Sequence, residues 1–254
     1  MTKFLSYIIC GTPRSGSTLL CEMLAASGVA GRPHSFYRQE SILHWADRWG
    51  VPHPHGVETP AFDRAYMDAM LWAGRGDTEI FGLRLMAASV ADAARRLDRV
   101  AGGEGAVTQR FAEAFGPVLY IHLSRGDKIA QAVSLLRAEQ SGLWHLAADG
   151  SVLEGAEELQ PMVYDGDRIA TLVREITNDD VAWGAFFAAH GIAPLRLTYE
   201  SVTSDPQAAL AEVLAALGQD AEIARTIVVP TAKMASGTSR QWAEKFRRDR
   251  SSGL

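Results

Sequence analysis

The sequence predicts an α/β fold in which a parallel β-sheet is flanked by helices. Short, continuously apolar runs such as residues 7–10 and 117–123 are typical of strands that a parallel sheet buries on both faces. Segments with apolar residues at helical spacing lie between these runs, and strands that alternate with helices form parallel sheets through right-handed crossovers. The 254 residues allow one large α/β domain or two small ones, and we expect a single domain over residues 1–254.

The first strand, loop and helix are expected in residues 7–28. The apolar run 7–10 predicts a buried strand, and Gly11 opens a loop of sequence GTPRSGST. Apolar residues at helical spacing begin at Leu19, and Gly28 stands where a helix often ends. In such a unit the backbone N–H groups converge on one point, and the helix dipole favours negative charge there. The unit therefore predicts an anion-binding site.

The loop has the outline of the Walker A phosphate-binding motif, G-x-x-x-x-G-K-[ST], but Ser17 stands in place of the lysine. The cation of the loop is instead Arg14, whose planar guanidinium suits two oxygens of one phosphate or sulfate group. The loop is thus expected to bind an anion without the lysine that P-loop NTPases use.

The remaining elements follow from apolar periodicity and from the positions of glycine and proline. Strands are predicted at residues 80–86, 117–123 and 195–199, which are rich in apolar residues. Helices are predicted at residues 41–49, 62–72, 91–100, 128–140, 168–190 and 206–217, followed by a short basic helix at 242–250. Residues 143–167 show no clean period and many acidic side chains, so we expect a mobile insertion or lid there.

Ligand-binding residues are expected at the carboxyl ends of the strands, because open parallel sheets bind ligands at that edge. The loop 11–18, the residues after Arg84 and the residues after Leu123 should therefore meet there. A P-loop NTPase would place a metal-binding aspartate at the end of such a strand. Arg125 occupies that place instead, which suits a second phosphate group on the ligand.

Residues 13–20, PRSGSTLL, resemble the loop that binds the 5′-phosphosulfate in sulfotransferases that use 3′-phosphoadenosine 5′-phosphosulfate (PAPS). Residues 28–33, with glycines at both 28 and 31 and a proline at 33, are similar to the bacterial trehalose 2-sulfotransferase family. The resemblance implies the sulfotransferase fold, PAPS as the sulfuryl donor, no metal ion, and a carbohydrate or glycolipid acceptor. The loop residues that it assigns to donor binding are Pro13, Arg14, Ser15, Gly16, Ser17 and Thr18.

The same resemblance implies that Arg125 and Ser134 bind the 3′-phosphate of PAPS. They lie nine residues apart with a helix start between them, a spacing similar to that of the arginine and serine that hold this phosphate in sulfotransferases. Residues 234–242 are similar to the C-terminal loop that closes over the adenine and the 3′-phosphate, which adds Ser239 to the donor site. Thr238 occupies the place of a family arginine, so a neighbouring cation would have to replace it.

Two arginines are expected to act in the transfer step. Sulfuryl transfer resembles phosphoryl transfer through a loose, in-line transition state, so the protein mainly positions the reactants and stabilises developing charge. Arg14 faces the 5′-phosphate of the leaving group in this interpretation. Arg84 lies where the family carries a lysine, which implies contact with the sulfuryl oxygens.

The general base for the acceptor hydroxyl is left open by the sequence. The family has a glutamate at the position of Ser35, and serine accepts no proton at neutral pH. His34 is adjacent and has a suitable pKa, and Glu40 is the second candidate. A carboxylate from residues 154–158, closing over the acceptor, is the third.

Composition excludes several other functions. The formal net charge of −5 argues against a broad nucleic-acid surface, and no segment is long and apolar enough to span a membrane. Cys10 and Cys21 lack metal or redox spacing, so we expect them to be buried and reduced in a cytoplasmic protein. The resemblance, together with Trp45, Trp49 and Trp72 in the middle of the chain, predicts a homodimer.

Two other functions stay open at this point. One is a nucleotide kinase or NTPase of the P-loop class, against which Ser17 and Arg125 argue. The other is a nucleotide-binding protein without transferase activity, since Ser35 replaces the family glutamate. Metal-dependent binding of ATP or GTP would favour the first, and binding of adenosine 3′,5′-bisphosphate without transfer to sugars would favour the second.

Overall fold

The computed structural model describes residues 3–102, 105–146, 152–155, 161–228 and 237–251. Their strands are β1 (Ser6–Gly11), β2 (Phe81–Met86), β3 (Val118–Ser124), β4 (Leu143–Leu146), β5 (Val152–Gly155) and β6 (Leu195–Thr198). Four of these form a parallel sheet in the order β2-β1-β3-β6, while β4 and β5 pair as an antiparallel hairpin. The predicted α/β fold with a parallel sheet is confirmed.

The helices begin and end largely where caps and glycines predict. They are α1 (Ser17–Ala26), α2 (Ile42–Trp49), α3 (Pro60–Arg75), α4 (Val90–Ala101), α5 (Val107–Phe115), α6 (Lys128–Ser141), α7 (Gly166–Ala189), α8 (Tyr199–Ser204), α9 (Pro206–Ala216) and α10 (Gly237–Ser251). Gly142 ends α6 in the left-handed conformation, where glycine carries no steric penalty. Asp205 caps α9 by accepting a hydrogen bond from the Ala208 N–H, and Pro206 starts the helix.

The central strand β1 is buried on both faces of the sheet. Ile8 and Cys10 pack into a cluster that includes residues of α2, α3, α4, α5 and α7. Tyr7 and Ile9 pack on the other face, against α1 and α9. A third cluster joins α6, α7 and α10 through residues such as Leu136, so that α10 packs beside α6. The loop that follows β1 therefore begins between the two layers of helices that cover the faces of the sheet.

Helices α3 and α4 are joined by buried ion pairs. Arg96 Nη1 of α4 lies 2.7 Å from Asp63 Oδ1 of α3, and within α4 Arg96 Nε lies 3.1 Å from Asp92 Oδ2. Arg99 also pairs with Asp63, whose side chain is 1% exposed. Each buried arginine charge here has a carboxylate beside it, which offsets the cost of taking it out of water.

Some of the predicted boundaries were wrong. The helices α5 and α8 were not predicted, and the last helix begins at Gly237 instead of residue 242. No strand was predicted in residues 143–167, where the described residues form the β4–β5 hairpin. Residues 147–151, 156–160 and 229–236, which hold parts of the expected lid and of the expected C-terminal loop, lie outside the described residues.

Candidate active site

The carboxyl ends of the strands meet at one edge, as the sequence predicts. Gly11, the last residue of β1, pairs with Met86 at the end of β2 and with Leu123 near the end of β3. Ser124 pairs with Thr198 at the end of β6. The loop after Gly11 is therefore central, with the β2 side on one flank and the β3 and β6 side on the other.

The backbone of the loop takes conformations that favour anion binding. Gly16 caps α1 with φ 86°, and Arg14 has φ 61°, the sole positive φ of a non-glycine residue in the part of the chain that the structure describes. Such a conformation costs energy for a residue with a side chain and is frequent at functional sites. The first turn of α1 carries no acidic residue, so the positive end of the helix dipole is left for a ligand.

Two side chains from distant helices hold the loop in place. Gln131 of α6 donates from Nε2 to Thr12 Oγ1 at 2.8 Å and to the Pro13 carbonyl at 2.6 Å. Trp183 of α7 donates from Nε1 to the Gly11 carbonyl at 3.0 Å. Both side chains are buried, so these hydrogen bonds are shielded from water. Sequence reasoning missed both as site residues, because no local pattern marks a tertiary hydrogen bond.

Arg14, Arg125 and Ser134 come together around the loop. Arg14 donates from Nε to Ser134 Oγ at 3.0 Å, and Arg125 donates from Nη1 to the Arg14 carbonyl at 3.2 Å. Arg14 also donates to the carbonyl of Trp144 in β4. The residues that the sequence assigned to two separate phosphate groups are thus in direct contact.

Arg125 lies on an aromatic ring that the sequence analysis did not single out. Its guanidinium carbon is 4.0 Å from the centroid of the Tyr199 ring, a cation–π arrangement. A Cβ added at Gly16 would lie 3.1 Å from the same ring, so Tyr199 contacts both the loop and the arginine. Glu200 accepts hydrogen bonds from the Gly126 N–H at 3.2 and 3.3 Å. The only sequence signal for Tyr199 was its place as the last residue of the predicted strand 195–199.

The Arg125 guanidinium has an unused hydrogen-bond donor. Burial lowers the pKa of Arg125, and Tyr199, Asp127 and Glu200 partly offset this effect. An arginine stays charged under such conditions. Its Nε is buried and has no hydrogen-bond partner among the described residues. A buried donor without an acceptor is costly, so this atom is a candidate contact for a bound anion.

Ser239 lies in the first turn of α10, not in a loop as the sequence predicts. Its Oγ accepts a hydrogen bond from Arg137 Nη1, and Arg137 is one helical turn after Ser134 on α6. Arg247 of α10 donates from Nη2 to both carboxylate oxygens of Asp127, at 2.7 and 2.8 Å. These contacts bring Ser239 to the helix that carries Ser134. Arg137 was not predicted as a site residue.

Arg84 connects the loop helix to the segment after Pro33. It donates from Nη1 to Thr18 Oγ1 and from Nε to Ser35 Oγ, both at 2.7 Å. The residue is 7% exposed. Arg84 therefore lies on the β2 side of the loop, opposite Arg125.

The side chains of the two described base candidates make no hydrogen bond with the Arg84 guanidinium, although the Arg84 backbone N–H donates to the His34 carbonyl at 3.0 Å. The His34 ring accepts at Nδ1 from the Ser35 N–H at 2.9 Å and packs edge-on against Trp45 at 4.6 Å between centroids. His34 forms an isolated parallel bridge with Leu83 of β2. Glu40 is exposed and pairs with Arg38 at 3.3 Å. Neither side chain hydrogen-bonds to Arg84 within the described residues, and the side chains of 154–158 lie outside them.

Metal ligands are not grouped in the described ranges. Within residues 3–102, 105–146, 152–155, 161–228 and 237–251, no three His, Cys, Asp or Glu side chains cluster in a way that suits a metal ion.

Residues 6–249 match the family model of the Stf0 sulphotransferases. This chain belongs to the Stf0 sulfotransferase family. It is an enzyme that transfers sulfuryl groups, and the match favours this activity over the two alternatives that the sequence left open. None of the helices in the described residues is long and apolar enough to cross a membrane.

Two relatives align with nearly the whole Stf0 chain. The trehalose 2-sulfotransferase of Mycobacterium tuberculosis (strain ATCC 35801 / TMC 107 / Erdman) is 29% identical over 266 residues, covering 95% of this chain and 94% of the relative. The trehalose 2-sulfotransferase of Mycolicibacterium smegmatis (strain ATCC 700084 / mc(2)155) is also 29% identical over 266 residues, covering 96% of this chain and 95% of the relative.

Two solved structures are more distant. The sulfotransferase STF9 from Mycobacterium avium aligns with a TM-score of 0.43 and 12% identity, over 100% of this chain and 78% of the other. The sulfotransferase domain of the Synechococcus PCC 7002 olefin synthase aligns with a TM-score of 0.40 and 18% identity, over 96% and 94% of the two chains. At these scores the likeness supports no conclusion about this chain.

Proposed function

We propose that the protein transfers a sulfuryl group from PAPS to a hydroxyl group of a carbohydrate or glycolipid. One observation carries the proposal: Arg14, in a glycine-bounded loop at a helix N-terminus, contacts Ser134 and Arg125. Two anionic groups on one ligand match this arrangement, since the loop offers one anion site and the β3 side offers a second. PAPS has such groups at its 5′ and 3′ positions.

The donor fits the polar groups that the described residues offer. The N–H groups of Ser15–Thr18 and the side chain of Arg14 would bind the 5′-phosphosulfate. Arg125, with its unpartnered buried Nε, and Ser134 would bind the 3′-phosphate, with Ser239 next to Arg137 as a further hydroxyl. Pro13 precedes Arg14 in the loop, and its carbonyl accepts a hydrogen bond from Gln131.

The transfer exchanges one bond to sulfur for another. The acceptor hydroxyl oxygen bonds to sulfur, and the bond from sulfur to the 5′-phosphate oxygen breaks. That oxygen keeps the electron pair, and adenosine 3′,5′-bisphosphate leaves. Arg14 and the loop N–H groups stabilise the charge that develops there. The hydroxyl proton passes to a general base.

His34 and Glu40 remain the candidate bases for the acceptor hydroxyl. His34→Ala should lower kcat about a hundredfold or more if His34 is the base, with unchanged donor affinity. Loss of activity in Glu40→Gln with an active His34→Ala variant would assign the role to Glu40. If both variants stay active, the base lies outside this segment.

The acceptor class rests on the two relatives, whose names state trehalose as their acceptor. The family that the sequence resembles has a glutamate at the position of Ser35, and this difference bears on acceptor specificity. We therefore propose a hydroxylated sugar or glycolipid and leave its identity to a screen. We further propose a homodimer in the cytoplasm, a proposal supported by Trp72, which is 76% exposed, and by two buried free cysteines.

The proposal is tested with radiolabelled PAPS and a panel of disaccharides and glycolipids in the presence of EDTA. We expect label to reach at least one acceptor without a divalent cation. Arg14→Lys keeps the charge but loses the planar pair of donors, so it should reduce the rate by about a hundredfold. Donor binding without transfer to any acceptor would refute the proposal, as would magnesium-dependent phosphoryl transfer from ATP.

A further inference from the structure

Arg84 is a buried cation whose described partners are all uncharged. The residue is 7% exposed, and its two side-chain hydrogen bonds go to the hydroxyls of Thr18 and Ser35. No carboxylate of the described residues forms an ion pair with it. Two of its five N–H donors are used in these bonds, which leaves others for a ligand.

Arg96, the other buried arginine, has the carboxylate partners that Arg84 lacks among the described residues. Arg96 is 3% exposed and pairs with two carboxylates, Asp63 and Asp92. A buried charge without a partner is expensive, and hydroxyl dipoles replace only part of the lost hydration. The fold therefore neutralises Arg96 internally and leaves the charge of Arg84 without a counter-charge among the described residues.

The side chains that hydrogen-bond to Arg84 carry no negative charge. Thr18 lies in the first turn of α1, whose dipole has its positive end there and which carries no acidic residue. Cys21 lies on the next turn of α1, near both Arg84 and Glu22. Burial raises the pKa of Cys21 to about 11, so this thiol stays neutral at pH 7. The local field thus attracts an anion.

The position of Arg84 separates it from the contacts proposed for the donor's 3′ end. In the sheet order β2-β1-β3-β6, Arg84 lies on β2, whereas Arg125 and Ser134 lie on the β3 side of the loop. A donor that spans from the loop to Arg125 extends away from Arg84. The acceptor must approach the sulfuryl group from a side that the rest of the donor does not fill. Arg84, at the β2 flank, borders that side.

We infer that Arg84 binds an anionic group of the acceptor, so that this enzyme prefers sugars bearing a phosphate, carboxylate or sulfate group close to the hydroxyl that is sulfated. Ser35 is part of this site, because its hydroxyl orients the guanidinium without neutralising it. The inference rests on the proposed function and narrows its acceptor class. An anion at Arg84 has two possible sources, the acceptor and the sulfuryl group of the donor, and the test below separates them.

The test compares matched neutral and anionic acceptors, trehalose with trehalose 6-phosphate and glucose with glucose 6-phosphate. We expect a higher kcat/KM for at least one phosphorylated partner, by about tenfold or more, the range of one charge-assisted hydrogen bond. Arg84→Met should bring that ratio close to one. Ser35→Asp places a carboxylate beside Arg84 and should also remove the preference, whereas its isosteric neutral control, Ser35→Asn, should keep it.

The outcomes distinguish the inference from the proposed function. If the unmodified enzyme has an equal or higher kcat/KM for both neutral sugars than for their phosphorylated partners, the inference is wrong and the proposed function is unaffected. If Arg84→Met lowers kcat/KM equally for neutral and anionic acceptors, Arg84 contacts the donor's sulfuryl group instead, and the inference is again wrong. If neither these sugars nor the wider panel of disaccharides and glycolipids is sulfated, the proposed function fails. Calorimetry then decides the inference alone: with adenosine 3′,5′-bisphosphate bound, trehalose 6-phosphate must bind more tightly than trehalose, and Arg84→Met must abolish the difference.

Thermal melts of each variant show whether it is folded. Arg84→Met replaces a charged side chain by an apolar one of similar length, and both Ser35 variants have the same size. A defect shared by Ser35→Asp and Ser35→Asn is therefore steric. A change in acceptor preference confined to Ser35→Asp reports the charge.

Discussion

Replacing Arg125 by alanine should weaken binding of adenosine 3′,5′-bisphosphate and leave binding of adenosine 5′-phosphate nearly unchanged. The guanidinium lies 4.0 Å from the centroid of the Tyr199 ring, and its buried Nε is free among the described residues to donate to a phosphate oxygen. A hydrogen bond to a charged group contributes about 1.5–3 kcal/mol, which is about a ten- to hundredfold change in Kd. Isothermal titration calorimetry in EDTA measures both nucleotides on the same preparation.

The comparison of two nucleotides also controls for damage to the loop. Arg125 donates to the Arg14 carbonyl, so its removal can shift the loop as well as the proposed 3′-phosphate site. A shifted loop would weaken both nucleotides equally, and that result would refute a specific role for Arg125. Arg174→Ala removes an exposed arginine on α7 and should change neither affinity. Tyr199→Phe keeps the ring under Arg125, so it should bind the bisphosphate better than Tyr199→Leu does.

Three further predictions concern stability, thiol chemistry and assembly. Asp63→Asn leaves Arg96 and Arg99 short of a buried counter-charge and should lower the free energy of unfolding by about 3–5 kcal/mol in urea titrations; a loss under about 1 kcal/mol would contradict this. Burial raises the pKa of both Cys10 and Cys21, so a thiol reagent at pH 8 should react with neither before unfolding, and one fast thiol in the native protein would disprove it. Light scattering at micromolar concentration should give the mass of a dimer, and a monomer mass would count against the homodimer.

Local sequence patterns were sufficient to predict the strand, loop and helix around the proposed anion site. In an α/β protein, an apolar run such as the one before Gly11 predicts a buried strand, and the composition of the following loop predicts a turn. The same reasoning put Arg84 and Arg125 at one edge, because parallel strands end together. It did not find α8, a helix of six residues, since its capping box at Thr198 and Ser201 is a weak signal without an apolar stripe.

The contacts that complete the site were beyond sequence reasoning. Three side chains contact the loop or its arginine partner from three different elements: Gln131, Trp183 and Tyr199. The residues next to them in the sequence do not predict these contacts. The link between Ser35 and Arg84 was likewise invisible, because the two residues are 49 positions apart. Local patterns place Arg84 on a strand and Ser35 in the segment after Pro33, but the hydrogen bond between them depends on how these two segments pack.

The hydrogen bond from Trp183 to the Gly11 carbonyl joins residues 172 positions apart, and it has a consequence for synthesis of the chain. The ribosome makes β1 first, yet the strands that flank it and the helix that holds its loop emerge later. High contact order of this kind slows folding, and the apolar β1 strand stays unpaired until β2 and β3 have been made. We therefore expect nascent chains that stop before α7 to bind no nucleotide and to recruit chaperones, and nucleotide binding should be acquired late during translation.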